Sequence, residues 1–358
     1  MVYIILVNWN GWRDTIECLE SVLRLDYDRF RVIVCDNCSS DNSLDRIADW
    51  AQGTIPAVCS NPDLQALTSP ACDKPIPLLR VELRENIELA AHPEKLILVE
   101  TGANLGFAGG NNVGLRLALA DKSCEFTWLL NNDTVVEPQA LSHLVQRMQD
   151  RPDAGICGST LIYYHDANTI QALGGSIYNP WLARIGHIGG GLNVSRNPGI
   201  PKVESLMKYV MGASMMIRRE VLECVGLLEE RYFLYFEEID LCTRARKAYS
   251  LAYAEQSIVY HKEGSSIGSS TIKRKQQSAK AQLYASRNRI LFTRTHFPFA
   301  LVTVIFSVMA STMARLLAGR YDEWWHSVRG IGLGFSWKPD NVLDAREKSA
   351  DFSGPRSE

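Results

Sequence analysis

The sequence predicts an α/β fold with a mostly parallel sheet flanked by helices. Short apolar segments rich in β-branched residues alternate with segments of helical periodicity, which is the pattern of strands and helices in such folds. Polar segments directly follow three of the apolar segments, at residues 8–11, 36–43 and 131–134. Because ligands bind at the carboxyl ends of the strands in open α/β sheets, these three loops are expected to share one binding site.

The predicted elements of the first half alternate regularly. Residues 2–7 form a short apolar run that is typical of a buried parallel strand. A helix is predicted next because the apolar residues of 14–25 recur at helical spacing. The same reasoning predicts strands at 30–35, 96–100 and 126–130. Helices are predicted at 44–51, after the glycine-rich segment 104–112 as far as residue 120, and at 139–149.

Two regions depart from this alternation. Residues 53–93 contain six prolines and little periodicity, so we interpret them as an insertion. In the second half, residues 155–201 are predicted to form short strands and loops. Residues 209–217 are predicted to form a buried turn and strand. A helix is expected at 219–225, and a loop that runs into a helix at 235–244.

The C-terminal residues 266–358 are expected to form a helical, basic region. No acidic residue lies between Glu263 and Asp322, and residues 295–314 are uncharged if His296 is neutral. This length just suffices to span a bilayer, but Thr303, Ser307 and Ser311 place a small polar stripe on the helix. Peripheral attachment to a membrane is therefore preferred over a plain packed helix and over a true span.

Composition narrows the class of protein further. The 358 residues suffice for one large or two modest domains, and 46% hydrophobic and 22% charged residues are ordinary for a globular protein. The formal net charge of −2 gives no reason to expect a nucleic-acid partner. Residues 1–7 lack a basic segment and end in a turn, so we expect no signal peptide and nine reduced cysteines in the cytoplasm.

Asn131, Asn132 and Asp133 follow a predicted strand and are candidates for a metal site. A carboxylate flanked by amides suits the oxygen-preferring ions Mg²⁺ and Mn²⁺, whose remaining ligands are substrate phosphates; the alternative is an ordinary turn. His261, after a strand predicted at 257–260, is a candidate second ligand or a structural histidine. Asp36 follows another strand and either accepts hydrogen bonds from a nucleotide or closes a turn.

Three carboxylates at Glu237, Glu238 and Asp240 are candidates for a general base. Their mutual repulsion raises at least one pKa, and apolar neighbours argue against a fully solvated acidic helix start, which is the alternative. The glycines of 102–114 do not have the G-x-G-x-x-G spacing, and no Walker lysine follows them. This disfavours a nicotinamide-dependent oxidoreductase and leaves a loop that approaches a phosphate.

Taken together, these motifs resemble the family 2 glycosyltransferases of the GT-A fold, and most closely the bacterial rhamnosyltransferase-like members. The resemblance covers about residues 2–265, which are expected to form the glycosyltransferase domain. The motifs that carry it are at residues 7–11, 34–41, 104–112, 129–134 and 236–240.

The resemblance implies a role for individual positions. Asp36 would bind the nucleotide base, Asp133 would hold the metal that bridges the diphosphate, and His261 would be a further metal ligand. Glu238 lies where the family has its catalytic base, usually an aspartate, so Glu237 and Asp240 remain alternatives. The expected substrate-binding residues are Asn8, Asn10, Asp36, Asn37, Ser39, Asn104, Gly106, Phe107, Asn111 and Asn132.

The implied function is that of an inverting, metal-dependent glycosyltransferase. The donor would be a dTDP- or UDP-sugar, with rhamnose favoured, the cofactor Mg²⁺ or Mn²⁺, and the acceptor a glycan or a lipid-linked sugar in cell-surface polysaccharide synthesis. The protein would act in the cytoplasm, at the inner face of the cell membrane if the C-terminal region attaches there peripherally. A non-catalytic nucleotide-sugar-binding protein is the alternative, and it would not need Glu238. The family's acidic D-x-D is here Asn131-x-Asp133, which leaves one carboxylate for the metal.

Overall fold

The structure is a computed structural model that describes residues 1–82, 89–263 and 279–336. The expected boundary at residues 265 and 266 and the basic residues Lys273, Arg274 and Lys275 lie outside the described residues. Within them, the strands are β1 Val2–Asn8, β2 Phe30–Asp36, β3 Leu78–Glu82, β4 Leu96–Glu100, β5 Phe126–Leu130, β6 Thr134–Val136, β7 Ala154–Tyr163, β8 Asp166–Leu173, β9 Gly175–Asn179, β10 Arg184–His187, β11 Tyr209–Val210, β12 Ser214–Arg218 and β13 Ser250–His261.

Ten of these strands form one sheet in the described part of the chain, in the order β3-β4-β2-β1-β5-β12-β7-β13-β6, with β8 beside β7. The five neighbouring strands β3, β4, β2, β1 and β5 run parallel to one another, and β7 runs parallel to β13. The strand β12 enters antiparallel between β5 and β7, and β9, β10 and β11 form a small second sheet. The expected mostly parallel α/β sheet is confirmed.

Helices cover both faces of the sheet. They are α1 Trp12–Val22, α2 Ser43–Gln52, α3 Gln65–Thr68, α4 Gly106–Ala120, α5 Ala140–Asp150, α6 Ile200–Leu206, α7 Arg219–Val225, α8 Glu237–Ala245, α9 Ala279–His296, α10 Leu301–Leu317 and α11 Tyr321–Ser336. Alternate residues of β1 point to opposite faces: Tyr3 and Ile5 belong to one core, which α4 shares, and Ile4 and Leu6 to the other, which α1 and α5 share.

The glycine-rich segment was expected to be a loop, and this expectation is wrong. The helix α4 begins at Gly106 itself and includes Gly109 and Gly110. A Cβ atom at Gly110 would lie 2.9 Å from the side chains of both Asn37 and Val7. These glycines therefore let the first turns of α4 approach the ends of β1 and β2 closely.

The expected insertion at residues 53–93 contains a strand that the sequence pattern did not reveal. The strand β3 is the edge of the main sheet and pairs in parallel with β4. The segment before it is anchored to α1 by Glu20, which is 0% exposed. This carboxylate accepts hydrogen bonds from Trp50 Nε1 at 2.8 Å, Cys72 N at 2.7 Å and Lys74 Nζ at 3.1 Å.

Replacement of Glu20 by alanine is expected to lower the free energy of unfolding by about 3 kcal/mol, because it leaves these buried donors unpaired. The matched control is Asp45→Ala, which removes an ion pair between the exposed side chains of Asp45 (65% exposed) and Arg80 (46% exposed). The expected loss of unfolding free energy is at most about 1 kcal/mol. Urea unfolding of both variants measures the difference. Equal losses for the two variants would contradict the anchoring role of Glu20.

The uncharged residues 295–314 do not form a single helix. The helix α9 ends at His296, a short turn follows at Pro298–Ala300, and α10 begins at Leu301, because proline favours the first turn of a new helix. The polar stripe of α10 contacts the β9–β10 hairpin, since Thr303 Oγ1 donates to Trp181 O at 2.6 Å and Ser307 Oγ to Leu182 O at 3.0 Å. By length and composition alone, Pro298–Leu317 is apolar enough to cross a membrane.

Candidate active site

The ends of β1 and β2 carry a connected network of polar side chains. Asp36 is 2% exposed and accepts hydrogen bonds from Asn8 Nδ2 at 2.6 Å and from Ser39 Oγ at 2.6 Å and Ser39 N at 2.9 Å. A carboxylate has about four acceptor positions, so one remains for a ligand. The loop is closed by Asn10, whose Oδ1 accepts from Ser40 N at 2.7 Å.

The loop after β5 joins the same network through Asn132. Its Nδ2 donates to Thr15 Oγ1 at 2.9 Å, and Thr15 Oγ1 donates to Asn8 Oδ1 at 2.9 Å. The three polar loops that were expected to lie together therefore do so, linked by Thr15 of α1, which no motif in the sequence marked. A preformed polar edge of this kind is suited to hold a nucleotide.

The start of α4 lies against this edge. Asn37 Nδ2 donates to Gly106 O at 2.8 Å, while Asn37 Oδ1 is buried with no hydrogen-bond partner among the described residues. Asn104 Oδ1 accepts from Gly106 N at 3.0 Å. Gly106 has φ +71°, and a Cβ atom there would collide with the carbonyl oxygen of Phe233, so the close contact requires glycine.

The remaining predicted residues of α4 have different environments. Phe107 lies beside Gly212, and the Cβ atom of Glu238 lies beside the same glycine, so Phe107 connects the two halves of the site. Asn111 is 1% exposed, and its amide donates to Phe107 O within α4 at 2.9 Å. The neighbouring Asn112, which was not predicted, bonds both backbone groups of the distant Leu228.

Asp133 and His261 are brought together by strand pairing. Thr134 of β6 pairs with His261 of β13, which places His261 Nε2 3.2 Å from Asp133 Oδ1. His261 Nδ1 lies 2.9 Å from Gln171 Oε1. With its proton on Nδ1 and directed at Gln171, the imidazole presents the Nε2 lone pair towards Asp133.

These residues fit a divalent cation with few protein ligands. The described residues contain no group of three or more His, Cys, Asp or Glu side chains placed to hold a metal. Asn131 Oδ1 is also buried without a hydrogen-bond partner in this part of the chain. Burial lowers the pKa of His261, but the carboxylates of Asp133 and Glu263 together raise it by more. A cation held between Asp133 and His261 would take the place of the imidazole proton that this raised pKa favours.

Glu238 lines a cleft of about 370 Å³. Burial raises the pKa of Glu238. Burial and the charge of Glu238 raise the pKa of Glu237 well above its ordinary value. Both Glu237 Oε2 and Glu238 Oε2 are buried without a hydrogen-bond partner among the described residues, which is the environment of a carboxylate suited to take up a proton.

Asp240 does not suit the role of base that the sequence left open for it. It accepts hydrogen bonds from Arg244 Nε at 2.7 Å and from His296 Nε2 at 2.6 Å. Burial raises the pKa of Asp240, but these two partners lower it by more. Its carboxylate therefore fixes α8 against α9.

The loop that precedes Glu238 has an unusual backbone, and α9 holds it in place. Phe233, Tyr235 and Phe236 have φ of +61°, +69° and +77°, a conformation that costs free energy for residues with side chains. Asn288 Nδ2 of α9 lies 2.8–3.0 Å from the carbonyl oxygens of Tyr232, Leu234 and Tyr235. Arg287 Nη2 donates to Arg231 O and Tyr232 O, both at 2.7 Å.

Asn288 is therefore a positioning residue, and its replacement by alanine is expected to lower kcat by about 10- to 100-fold, because a small displacement of a catalytic group costs this much. The KM for the donor should stay within about twofold, since Asp36, Asp133 and His261 lie on other elements. Steady-state kinetics separate the two constants, with Asn193→Ala at an exposed turn as the control. An unchanged kcat would show that α9 does not position the base.

The sheet and its polar edge define the class of the protein as a GT-A fold. The structure of Staphylococcus aureus TarS in complex with UDP-GlcNAc covers 93% of this chain and 80% of its own, with 12% identity and a TM-score of 0.53. That of GalNAc-T7 with UDP, GalNAc and Mn²⁺ covers 82% of this chain and 47% of its own, with 14% identity and a TM-score of 0.51. At these identities the likeness concerns the fold alone.

The chain belongs to glycosyl transferase family 2, whose sequence model matches residues 3–65 and 82–226. The resemblance drawn from the motifs is thus confirmed. The hexosyltransferase Agl10 of Haloferax volcanii, of low-salt glycan biosynthesis, is 28% identical over 156 residues, 42% of this chain and 46% of the relative. The N-acetylglucosaminyl-diphospho-decaprenol L-rhamnosyltransferase of Mycobacterium tuberculosis is 26% identical over 193 residues, 48% of this chain and 60% of the relative. The chain spans about half the length of these relatives, and the family match ends before Glu237.

Proposed function

We propose that the protein is an inverting, metal-dependent glycosyltransferase that uses a nucleoside diphosphate sugar. The observation that carries this proposal is the Asp133–His261 pair at the same sheet edge as Asp36. Asp36 and Asn8 suit the nucleoside, and Asp133 and His261 suit the cation of the diphosphate. Glu238 in the adjacent cleft favours catalysis over simple binding of the donor.

Each residue has one task in the proposed reaction. Asp133 and His261 would hold Mg²⁺ or Mn²⁺, which would supply Lewis-acid neutralisation of the charge on the leaving diphosphate. Glu238 takes the proton from the acceptor hydroxyl while that oxygen attacks the anomeric carbon from the side opposite the diphosphate. A single displacement of this kind inverts the anomeric configuration. Asn288 and Arg287 keep the loop before Glu238 in place.

The donor is tested by a thermal-shift screen of nucleotide sugars with Mn²⁺. The rhamnosyltransferase and hexosyltransferase relatives support dTDP-rhamnose first and UDP-hexoses next. A ligand at 100 times its Kd stabilises the folded state by about 2.7 kcal/mol, so the correct donor raises Tm by several degrees. Tm values that no nucleotide sugar changes would contradict the proposal.

We also propose that the helices α10 and α11 attach the protein to the anionic inner face of the cell membrane, where a lipid-linked acceptor resides. The outer face of α10 exposes Val302, Phe306, Met309, Met313 and Leu317, between 52% and 82% each, and Trp325 of α11 is 58% exposed. A continuous apolar face with arginines on the same helices is typical of interfacial helices.

Replacement of Phe306 by aspartate is expected to weaken binding to anionic liposomes by about tenfold, because it removes one large apolar side chain from the interface. Sedimentation with liposomes at low and high salt measures the bound fraction. The control is Val58→Asp, at an equally exposed apolar residue outside α10 and α11 (66% exposed). A wild-type protein that does not sediment with anionic liposomes at low salt would contradict the attachment.

A further inference from the structure

The cleft beside Glu238 has a cationic wall. Besides Glu238 it is lined by Ala183, Arg184 and Ile185 of the β9–β10 hairpin, Tyr235 and Phe236 before α8, and Ala285, Arg289 and Ser311 of α9 and α10. Neither Arg184 nor Arg289 forms an ion pair with a carboxylate among the described residues. The cleft therefore holds two positive charges without a carboxylate partner in this part of the chain, and both line the same cavity as Glu238.

Arg289 is held rigidly and close to other cations. Its Nη2 donates to Leu182 O at 2.7 Å and to Ser307 Oγ at 2.9 Å, while its Nε is buried without a hydrogen-bond partner among the described residues. Burial, together with the guanidinium groups of Arg184 and Arg315, lowers the pKa of Arg289 to about 10, although Tyr178 opposes this. An arrangement of like charges is costly unless an anion is bound between them.

An apolar track leads away from this cationic wall. A second groove, of about 390 Å³, shares Arg184 and Ile185 with the cleft and is lined further by Ile177, Tyr178 and Trp181. Trp181 packs against Phe299 in the short turn that precedes α10, with ring centroids 5.2 Å apart. The groove is thus continuous with the exposed face of α10. From Glu238 outward, the surface is first acidic, then cationic, then apolar.

We propose that this surface binds the acceptor as a sugar carried on a polyprenyl diphosphate, with Arg184 and Arg289 on the diphosphate. This inference rests on the proposed function and names its acceptor class. The sugar hydroxyl lies at Glu238, the diphosphate lies between the two arginines, and the first isoprene units follow Ile177, Ile185 and Trp181 to the face of α10. Guanidinium groups suit this anion because they donate paired hydrogen bonds to phosphate oxygens.

The site is tested with farnesyl diphosphate, which has the anion and the prenyl chain but no sugar. Calorimetry is done with a chelator present, so that the diphosphate is not held through a metal at Asp133. The exposed Arg184 tolerates replacement, and Arg184→Met is expected to weaken binding by about 10- to 100-fold, the value of a hydrogen bond to a charged group. Arg289→Lys keeps the positive charge but loses the planar pair of N–H donors of the guanidinium group, and it is expected to weaken binding by about tenfold. The matched control is Arg196→Met, at an exposed arginine outside the cleft.

Two further ligands separate the parts of the surface. Inorganic diphosphate is expected to bind at least about tenfold more weakly than farnesyl diphosphate, because it lacks the chain, and uncharged farnesol to bind more weakly still. Equal binding of inorganic and farnesyl diphosphate would overturn the prenyl track. If farnesyl diphosphate does not bind, the proposed diphosphate site is wrong. The same holds if Arg184→Met binds it as strongly as Arg196→Met does. Binding of nucleotide sugars, measured on the same preparations, judges the proposed function separately.

Discussion

The Glu238→Gln variant is expected to lose about 10²- to 10⁴-fold in kcat, the usual contribution of one positioned general base. Glutamine has nearly the same shape and cannot take up the proton of the acceptor hydroxyl. The metal and nucleotide residues lie on the sheet edge, so the KM for the donor should change little. Steady-state transfer kinetics give both constants, and Asp240→Asn in the Arg244–His296 contact is the comparison. Activity near the wild-type level in Glu238→Gln, with loss in Asp240→Asn, would move the base to Asp240.

The same variant has a signature in the pH dependence. Burial raises the pKa of Glu238, so the wild-type base stays protonated and inactive to a higher pH than an ordinary glutamate, which titrates near about 4.3. The rate therefore rises as the pH increases through this raised pKa, and Glu238→Gln lacks that rise. A pH profile of kcat/KM for both proteins measures it. If the rise in kcat/KM persists unchanged in Glu238→Gln, the titrating group is a different residue. The buried Glu237 would then be the first candidate.

The Asp133→Ala variant is expected to lose metal-dependent donor binding, by about 100-fold or more, because even indirect partners of metal ligands contribute about 10- to 100-fold to metal affinity. Of the two proposed metal ligands, only His261 would then remain. Calorimetric titration with the donor, with and without Mn²⁺, measures the effect. The matched control is Asp166→Ala, at an exposed aspartate of β8.

A wild-type protein that binds the donor equally with and without Mn²⁺ would remove the metal from the mechanism. The same binding in Asp133→Ala and in the wild type would remove Asp133 from the site. The His261→Ala variant separates the two ligands, because Asp133 then retains its carboxylate while the contact to Gln171 is lost.

Periodicity in the sequence was sufficient to locate most of the main sheet. The strands at 96–100 and 126–130 have the predicted bounds, because each is a short, almost entirely apolar segment between turns. The strand β3 was missed because it is a half-buried edge strand next to a proline-rich segment. The start of α4 was assigned to a loop because glycines disfavour helices locally, whereas close packing on Asn37 and Val7 favours them here.

The candidate site could be predicted only where residues follow strand ends directly. The loops with Asn8, Asp36 and Asp133 met this condition, and the structure places their side chains at one edge. Gln171 and Asn288 gave no local signal, because their roles arise from contacts across 90 and more than 50 residues of chain. The expectation of a separate C-terminal region also concealed that α9 supports the loop before Glu238.

The anomeric configuration of the product tests the central claim most directly. Proton NMR of the glycoside product gives the anomeric configuration of the transferred sugar, which is compared with that of the donor. A direct displacement assisted by Glu238 predicts inversion. Retention of configuration would require two displacements or a different mechanism, and it would contradict the assignment of Glu238 as the base of a single-step transfer.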